Sequence, residues 1–313
     1  MLRVHFLNVG HGDCCILEFP NRLTVVDINR TSNMDEESKN EILTESLGLT
    51  KAAFVQNLIK SGQKSVEQSL IEAGYNIKLT DPVSYIQKLG KRRIFRFIST
   101  HPHMDHLSGL NYLSQQILIN NIWVVKNDFT QNNDKLTDDQ KNDWKYYCKY
   151  RDSKEAKLEN TTRVEPLEGS SLQYWKDDGI SILAPNKELL KSDNPNDMSY
   201  VLLIKYGNCK ILLGGDAGEK TWSYLEQKYK EELANISILK ASHHGRDSGY
   251  YQPAIKLMQP LVTIVSVGKK PDTDVSNKYR QYCKNVFSTR WKGNMVFDCY
   301  EDGEIQYKTE YGR

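Results

Sequence analysis

The sequence predicts an α/β chain folded as an αββα sandwich, with two mixed β-sheets face to face and helices outside. Three observations lead there. Apolar runs of strand length recur in two similar sets. Each set is followed by segments whose apolar residues fall at helical spacing. Histidine and aspartate collect at the ends of these runs, where a strand hands over to a loop or a helix. Two sheets that bury one face against each other and the other under helices satisfy all three.

Residues 2–28 read as three short strands. "LRVHFLNV" and "DCCILEF" are separated by Gly10-His11-Gly12, and "RLTVVDI" follows the turn signal Pro20-Asn21. From about 30 to 80 the texture becomes polar, with apolar residues at helical intervals: Leu43, Leu47 and Leu49, then Phe54, Leu58 and Ile59, then Val66, Leu70 and Ile71. This predicts a mostly helical insertion, either a lid or partner surface or a plain decoration, within a single domain spanning 1–313. "RRIFRFIST" is the next strand, "HLSGLNYLSQQ" a helix and "NIWVV" a strand. Residues 127–180 read as loop with helical pieces around 137–151. "ISILAP", "SYVLLIKYG" and "CKILLGGD" are strands, followed by a helix through "AGEKTWSYLEQKY" and the strand "ISILKAS". A helix through "YQPAIKLM" and the strands "LVTIVSVG", "NVFST" and "GNMVFDCY" complete the second set.

A chain of 313 residues can bury a sizeable core. Its formal net charge of +2 is near balance, so composition alone points to neither nucleic acid nor an anionic membrane. No apolar run approaches the roughly 18 residues a membrane span needs. Six cysteines are scattered without CxxC spacing, which suits free thiols in a reducing compartment and predicts a cytoplasmic protein.

The chemistry centres on "THPHMDH", residues 100–106, which holds three of the seven histidines beside an aspartate. Imidazole nitrogens and carboxylate oxygens bind zinc, manganese or iron while leaving positions open for water and substrate. On an extended stretch His101 and His103 project to one side and can share a metal. Asp105 and His106, where the chain turns toward a helix, can face a second metal roughly 3.5–4 Å from the first. Asp216 follows "ILLGG" and suits a position between two metals, or else caps the helix after it. His243 and His244 follow another strand. Adjacent side chains on extended backbone diverge, so one of the pair, His243, is expected to ligate and His244 to contact substrate or donate a proton.

"STHPHMDHLSGL" resembles the first metal motif of the metallo-β-lactamase superfamily. "FLNVGHGDCCILEFP", "LTVVDI", "NDMSYVLLIKYGNCKILLGGD" and "ILKASHHGRDSGYYQPAIKLMQPLVTIVSVG" resemble segments of the metallo-β-lactamase-like domain of the ComEC DNA-uptake protein family and its soluble relatives. The likeness covers roughly 1–28, 82–126 and 180–300. It implies a metallohydrolase with two divalent ions, zinc first and manganese second. By position, His101, His103, Asp105, His106, Asp216 and His243 would be ligands, with Asp105 and His244 catalytic. Asp13 would sit beside the site and contact substrate, and Asp27 would support the ligands from behind. A turn and a cap are the structural alternatives for these two aspartates.

Two departures stand out. Many superfamily members carry a further histidine between the first motif and the bridging aspartate, but none occurs here between 106 and 243. Asn196 or Asp197, in "PNDMS", would take its place or leave one metal weakly held. Arg246 stands where the branch often has serine and could grip a phosphate through two hydrogen bonds.

The expected activity is hydrolysis of a phosphodiester by a metal-activated hydroxide, on DNA, RNA or a nucleotide-like molecule, with Arg246, Lys240, Lys269 and Lys270 holding the substrate. An ester, lactone or phosphorylcholine-type substrate is the alternative within enzymes. A sensor or scaffold subunit of a multi-protein system, docking through the 30–80 insertion, is the alternative of another class. No membrane partner is expected.

Overall fold

The computed structural model describes residues 1–46, 48, 65–75 and 77–312. Among these, fifteen strands form two sheets. The first sheet contains β1 (Leu2–Phe6), β2 (Cys15–Glu18), β3 (Leu23–Val26), β4 (Arg93–Ile98), β5 (Leu118–Trp123), β6 (Lys157–Leu158) and β7 (Thr161–Val164). The second contains β8 (Ile180–Ala184), β9 (Val201–Tyr206), β10 (Cys209–Leu213), β11 (Ile238–Lys240), β12 (Val262–Val265) and β13 (Asn285–Ser288). The chain then returns to the first sheet with β14 (Met295–Cys299) and β15 (Ile305–Thr309), giving the orders β15-β14-β1-β2-β3-β4-β5-β7-β6 and β13-β12-β11-β10-β9-β8.

Both sheets are mixed. β3, β4, β5 and β7 run parallel, while β14, β1 and β2 pair antiparallel. In the second sheet β10 to β13 are parallel and β8 and β9 antiparallel. Alternation puts Leu2, Val4, Phe6, Ile211, Leu213, Ile238 and Ile264 into one core between the sheets. On the outer face of the first sheet, Val83 and Ile86 of the helix Pro82–Lys88, Leu110 and Leu113 of Leu110–Gln116, and Tyr147 and Tyr150 of Asp138–Arg151 cover the strands. Trp222 and Leu225 of the helix Glu219–Lys228, with Ile255 and Met258 of Gln252–Met258, do the same for the second. The αββα sandwich is therefore the observed architecture.

Three local expectations change. "GNMVFDCY" does not complete the second sheet: β14 pairs with β1, Val4 opposite Phe297, because its inward residues Met295, Phe297 and Cys299 fill the core from the other side. β6, β7 and β15 are strands too short or too polar to show an apolar run. The 30–80 segment holds the helices Glu36–Ser46 and Val66–Glu72, whose Ile42, Leu43 and Leu70 pack with Met34, Tyr75, Leu79 and Tyr311. Ile71 is exposed, and Leu47, Leu49, Phe54, Leu58 and Ile59 lie outside the described residues.

All six cysteines are free. No helix among the described residues is long and apolar enough to cross a membrane.

Candidate metal centre

Parallel strands deliver their carboxyl ends to one edge, and crevices that bind ligands form there. β4 ends in Ser99 and Thr100 and then the histidine motif. β10 runs into Gly214-Gly215-Asp216, and β11 into Ala241, Ser242, His243 and His244. β1 and β2 contribute the loop that holds His11 and Asp13. Six of the chain's seven histidines meet here; the seventh, His5, lies under Tyr85, its Nδ1 3.0 Å from the phenolic oxygen.

The chain is shaped tightly to bring these groups together. A side chain at Gly12 would sit 2.6 Å from the carbonyl oxygen of Asp105, and one at Gly214 would sit 2.5 Å from Ser242 Oγ. Asp27 takes a left-handed φ of 59°, a conformation Asp tolerates better than most residues. Its carboxylate accepts the Thr100 N–H and Oγ–H at 2.7 Å each and stands 2.8 Å from His106 Nδ1.

Three groups of candidate ligands result; Asp216 belongs to two of them, and His11, Asp105 and His244 form the third. His101, His103 and Asp216 form the first: His101 Nε2 lies 3.0 Å from His103 Nδ1 and 3.6 Å from Asp216 Oδ2. Asp13, His106, Asp216 and His244 form the second, all buried, with His106 Nε2 3.3 Å from Asp216 Oδ1. Asp105 and His11 adjoin the second through His244, whose Nε2 is 3.1 Å from Asp105 Oδ2. Asp13 Oδ1, His106 Nε2 and Asp216 Oδ1 are buried without a hydrogen-bond partner. Such orphaned atoms are rare and costly. Lone pairs facing one another across the same few ångströms fit a cation.

The electrostatics agree. Burial keeps His101 well below the usual imidazole range and lowers His103 and His243, so these rings stay neutral with a lone pair available. Burial, with His244 adding, lowers His11 to about 4. Burial alone would depress His106 and His244 too, but Asp216 and its neighbouring carboxylates push both above the ordinary value. Against the opposing effect of burial, the surrounding imidazoles hold Asp105 and Asp216 below the carboxylate range, while burial raises Asp27. The carboxylates therefore draw positive charge to the cluster, onto His106 and His244 as well as Lys240.

Several positions differ from the sequence reading. His243 and His244 do not diverge. Both adopt left-handed backbone, φ 50° and 55°, and both Nε2 atoms come to 3.9 and 3.8 Å from Asp216 Oδ2. His244 is the one inside the candidate ligand groups, buried, with Nδ1 2.9 Å from the Ser266 carbonyl. His243 is partly exposed, and its Nδ1 lies 2.6 Å from Ser248 Oγ. Asp13 faces the cluster rather than open solvent, because Lys240 pairs with it; that lysine is buried and cannot reach a substrate. Lys269 is engaged by Glu37 at 2.7 Å, and Lys270 stands 3.6 Å from Asp274.

Asn196 and Asp197 occupy the turn Pro195–Met198 and join neither candidate group. Asp197 accepts from Ser192, and Asn196 Oδ1 is buried without a partner. Arg246 reaches the site's rim, Nη2 3.3 Å from His11 Nε2. His11 was not among the residues expected at the site. Its signal was its place between two glycines beside Asp13.

Residues 66–269 match the profile of the metallo-beta-lactamase superfamily. The curated relative ComE operon protein 3 of Bacillus subtilis (strain 168) is 21% identical over 235 residues, 72% of this chain. The chain spans about a quarter of that protein, 26% of its length. Among solved structures, Igni18, a metallo hydrolase from Ignicoccus hospitalis KIN4/I, aligns with a TM-score of 0.48 and 11% identity, over 97% of this chain and 98% of the other. The metallo-beta-lactamase fold protein YhfI of Bacillus subtilis aligns at 0.45 and 10%, over 98% and 100%. An isothiocyanate hydrolase from Delia radicum gut bacteria aligns at 0.45 and 12%, over 99% and 100%. With two mixed sheets, a cluster of candidate ligands at their shared edge and a family profile matched over residues 66–269, the chain belongs to the metallo-beta-lactamase superfamily and carries the candidate metal site of a metal-dependent hydrolase.

Proposed function

We propose that this protein is a metal-dependent phosphodiesterase, cleaving nucleic acid or a nucleotide-like molecule. The observation that carries the metal dependence is the sharing of Asp216 between two candidate ligand groups, one of which keeps Asp13 Oδ1, His106 Nε2 and Asp216 Oδ1 buried without hydrogen-bond partners. His101 and His103 with Asp216 would hold one divalent ion, zinc or manganese. Asp13, His106, His244 and Asp216 would hold the other, with Asp105 adjoining them through His244. Bound there, such ions supply Lewis acidity and make water a nucleophile at neutral pH.

The chain's own residues then have separate tasks. Asp27 fixes the tautomer of His106 by accepting a hydrogen bond from its Nδ1–H, which aims Nε2 inward. The Ser266 carbonyl does the same for His244. His243, a neutral imidazole partly exposed and braced by Ser248, is placed to contact substrate, a task first expected of His244. Asp105 remains ionised at the rim, where it can orient the attacking water. Arg246 is positioned to grip a phosphate oxygen. Support for a phosphodiester comes from Arg246 and from the resemblance to the ComEC family.

The deciding experiment measures bound metal by elemental analysis in the wild type and in Asp216→Asn. Both are screened on bis(p-nitrophenyl) phosphate, linear DNA, RNA and a lactone. About two metals and phosphodiester turnover, both reduced in the variant, are the expected result. Lactone turnover alone would replace the substrate class. Absence of metal and of every activity would favour the scaffold role.

A further inference from the structure

A cavity of about 450 Å³ opens at the carboxyl ends of β12 and β13, on the same sheet edge as the candidate metal centre. Its back wall includes Val265 and Val267, which flank Ser266, the residue whose carbonyl positions His244. Two strand spacings, about 10 Å, separate it from the end of β11. A second hollow, of about 470 Å³, is lined by His11, Arg246 and Lys270, and Lys270 lines the first cavity as well. The two hollows are therefore neighbours, with Lys270 between them.

The lining sets four cations, Lys270, Arg280, Arg290 and Lys292, against two carboxylates, Glu45 and Asp274, with Phe287 and Trp291 as its aromatic rings. Arg290 is buried and already neutralised by Glu41 at 3.1 Å and Glu45 at 2.9 Å, so these carboxylates of the insertion helix form a wall. Lys270 has Asp274 at 3.6 Å. Arg280 and Lys292 are different. Arg280 donates only to the Val286 carbonyl, at 3.4 Å, and Lys292 lies over the Phe287 ring at 5.4 Å. Neither has a carboxylate at ion-pair distance among the described residues. Two cations left uncompensated around one cavity suit a phosphate group. The half-buried Trp291 ring has Tyr75 edge-on against it and the Arg290 guanidinium over it at 5.2 Å, which makes it an aromatic wall against which a base can rest.

We infer that this cavity binds a nucleoside phosphate: its phosphate on Arg280 and Lys292, its base against Trp291. In a polymeric substrate it would receive a nucleotide beyond the bond cut at the metal centre. That placement rests on the phosphodiesterase reading; the binding site itself can be tested without it.

The test titrates AMP and, separately, inorganic phosphate into the EDTA-treated full chain by calorimetry. Binding of AMP is expected, weakened at least tenfold in Arg280→Glu/Lys292→Glu. Lys284→Glu, an exposed change outside the cavity, controls for charge alone and should keep wild-type affinity. Trp291→Leu should weaken AMP several-fold and leave phosphate unchanged, with thermal melting showing that the variant is folded. No saturable AMP binding in the wild type, or equal affinity in the double variant, overturns the site. Phosphate binding as tightly as AMP, with no effect of Trp291→Leu, overturns the nucleoside part. If AMP binds as described but the metal-loaded wild type cleaves no phosphodiester, the cavity stands and the phosphodiesterase reading fails.

Discussion

Asp27 Oδ2 stands 2.8 Å from His106 Nδ1, and the same carboxylate accepts both the backbone N–H and the hydroxyl of Thr100. One buried aspartate thus ties the end of β3 to the end of β4 and orients a candidate ligand. Asp27→Asn keeps the shape but loses the charged acceptor. Metal affinity should fall about 10–100-fold, as for other groups that orient ligands from behind. Competition with a chelator measures it, and unchanged affinity would remove Asp27 from the site.

Lys240 pairs with Asp13 in a position closed to solvent. It sits two residues after Ile238 on the face of β11 that looks between the sheets. Lys240→Met leaves a buried carboxylate without its partner, which costs about 3–5 kcal/mol. Urea denaturation of the metal-free protein should show that loss, and Lys240→Met/Asp13→Asn should recover most of it. A substrate-holding lysine would instead change KM and leave stability alone.

Arg246 is a strongly basic group at the rim of the cluster, 3.3 Å from His11. Arg246→Ala should raise KM for a phosphodiester about tenfold, with kcat changed far less. Steady-state kinetics separate the two. An equal fall in kcat and kcat/KM would mean that the arginine acts on the transition state.

Burial lowers His5 to about 4, although Glu18 opposes the shift. The folded pKa lies below the unfolded one, so the unfolded chain binds the extra proton. Its contribution to stability is complete above about pH 6.5 and is lost as pH falls toward 4, by up to about 3 kcal/mol. His11, lowered to about 4, acts in the same sense. His5→Gln should flatten the acid limb of the stability profile by the share due to His5. A limb unchanged in that variant would assign the loss to the metal centre alone.

Much of this was legible along the chain. Apolar runs marked twelve of the fifteen strands, because a strand buried on one face or both must carry apolar residues in such a pattern. The HxHxDH spacing and the strand-end positions of Asp216 and the histidine pair pointed to one site. Short polar strands such as β6 and β15 were invisible, since their place comes from pairing with a neighbour rather than from their own composition.

The sequence by itself determined the sandwich, the motif and the kinds of ligand atom available. Tertiary structure decided their division. It returned β14 to the first sheet, brought His11 to the edge and buried Lys240 against Asp13. It also wound His243 and His244 through left-handed backbone, so that neighbours in sequence converge on Asp216. The "THPHMDH" cluster reads as a metal motif alone, but its missing histidine is explained only in three dimensions: Asp216 stands close enough to His101 and His103 to complete that group. Spacing along a chain encodes local geometry, whereas a shared carboxylate depends on how closely two sheets approach.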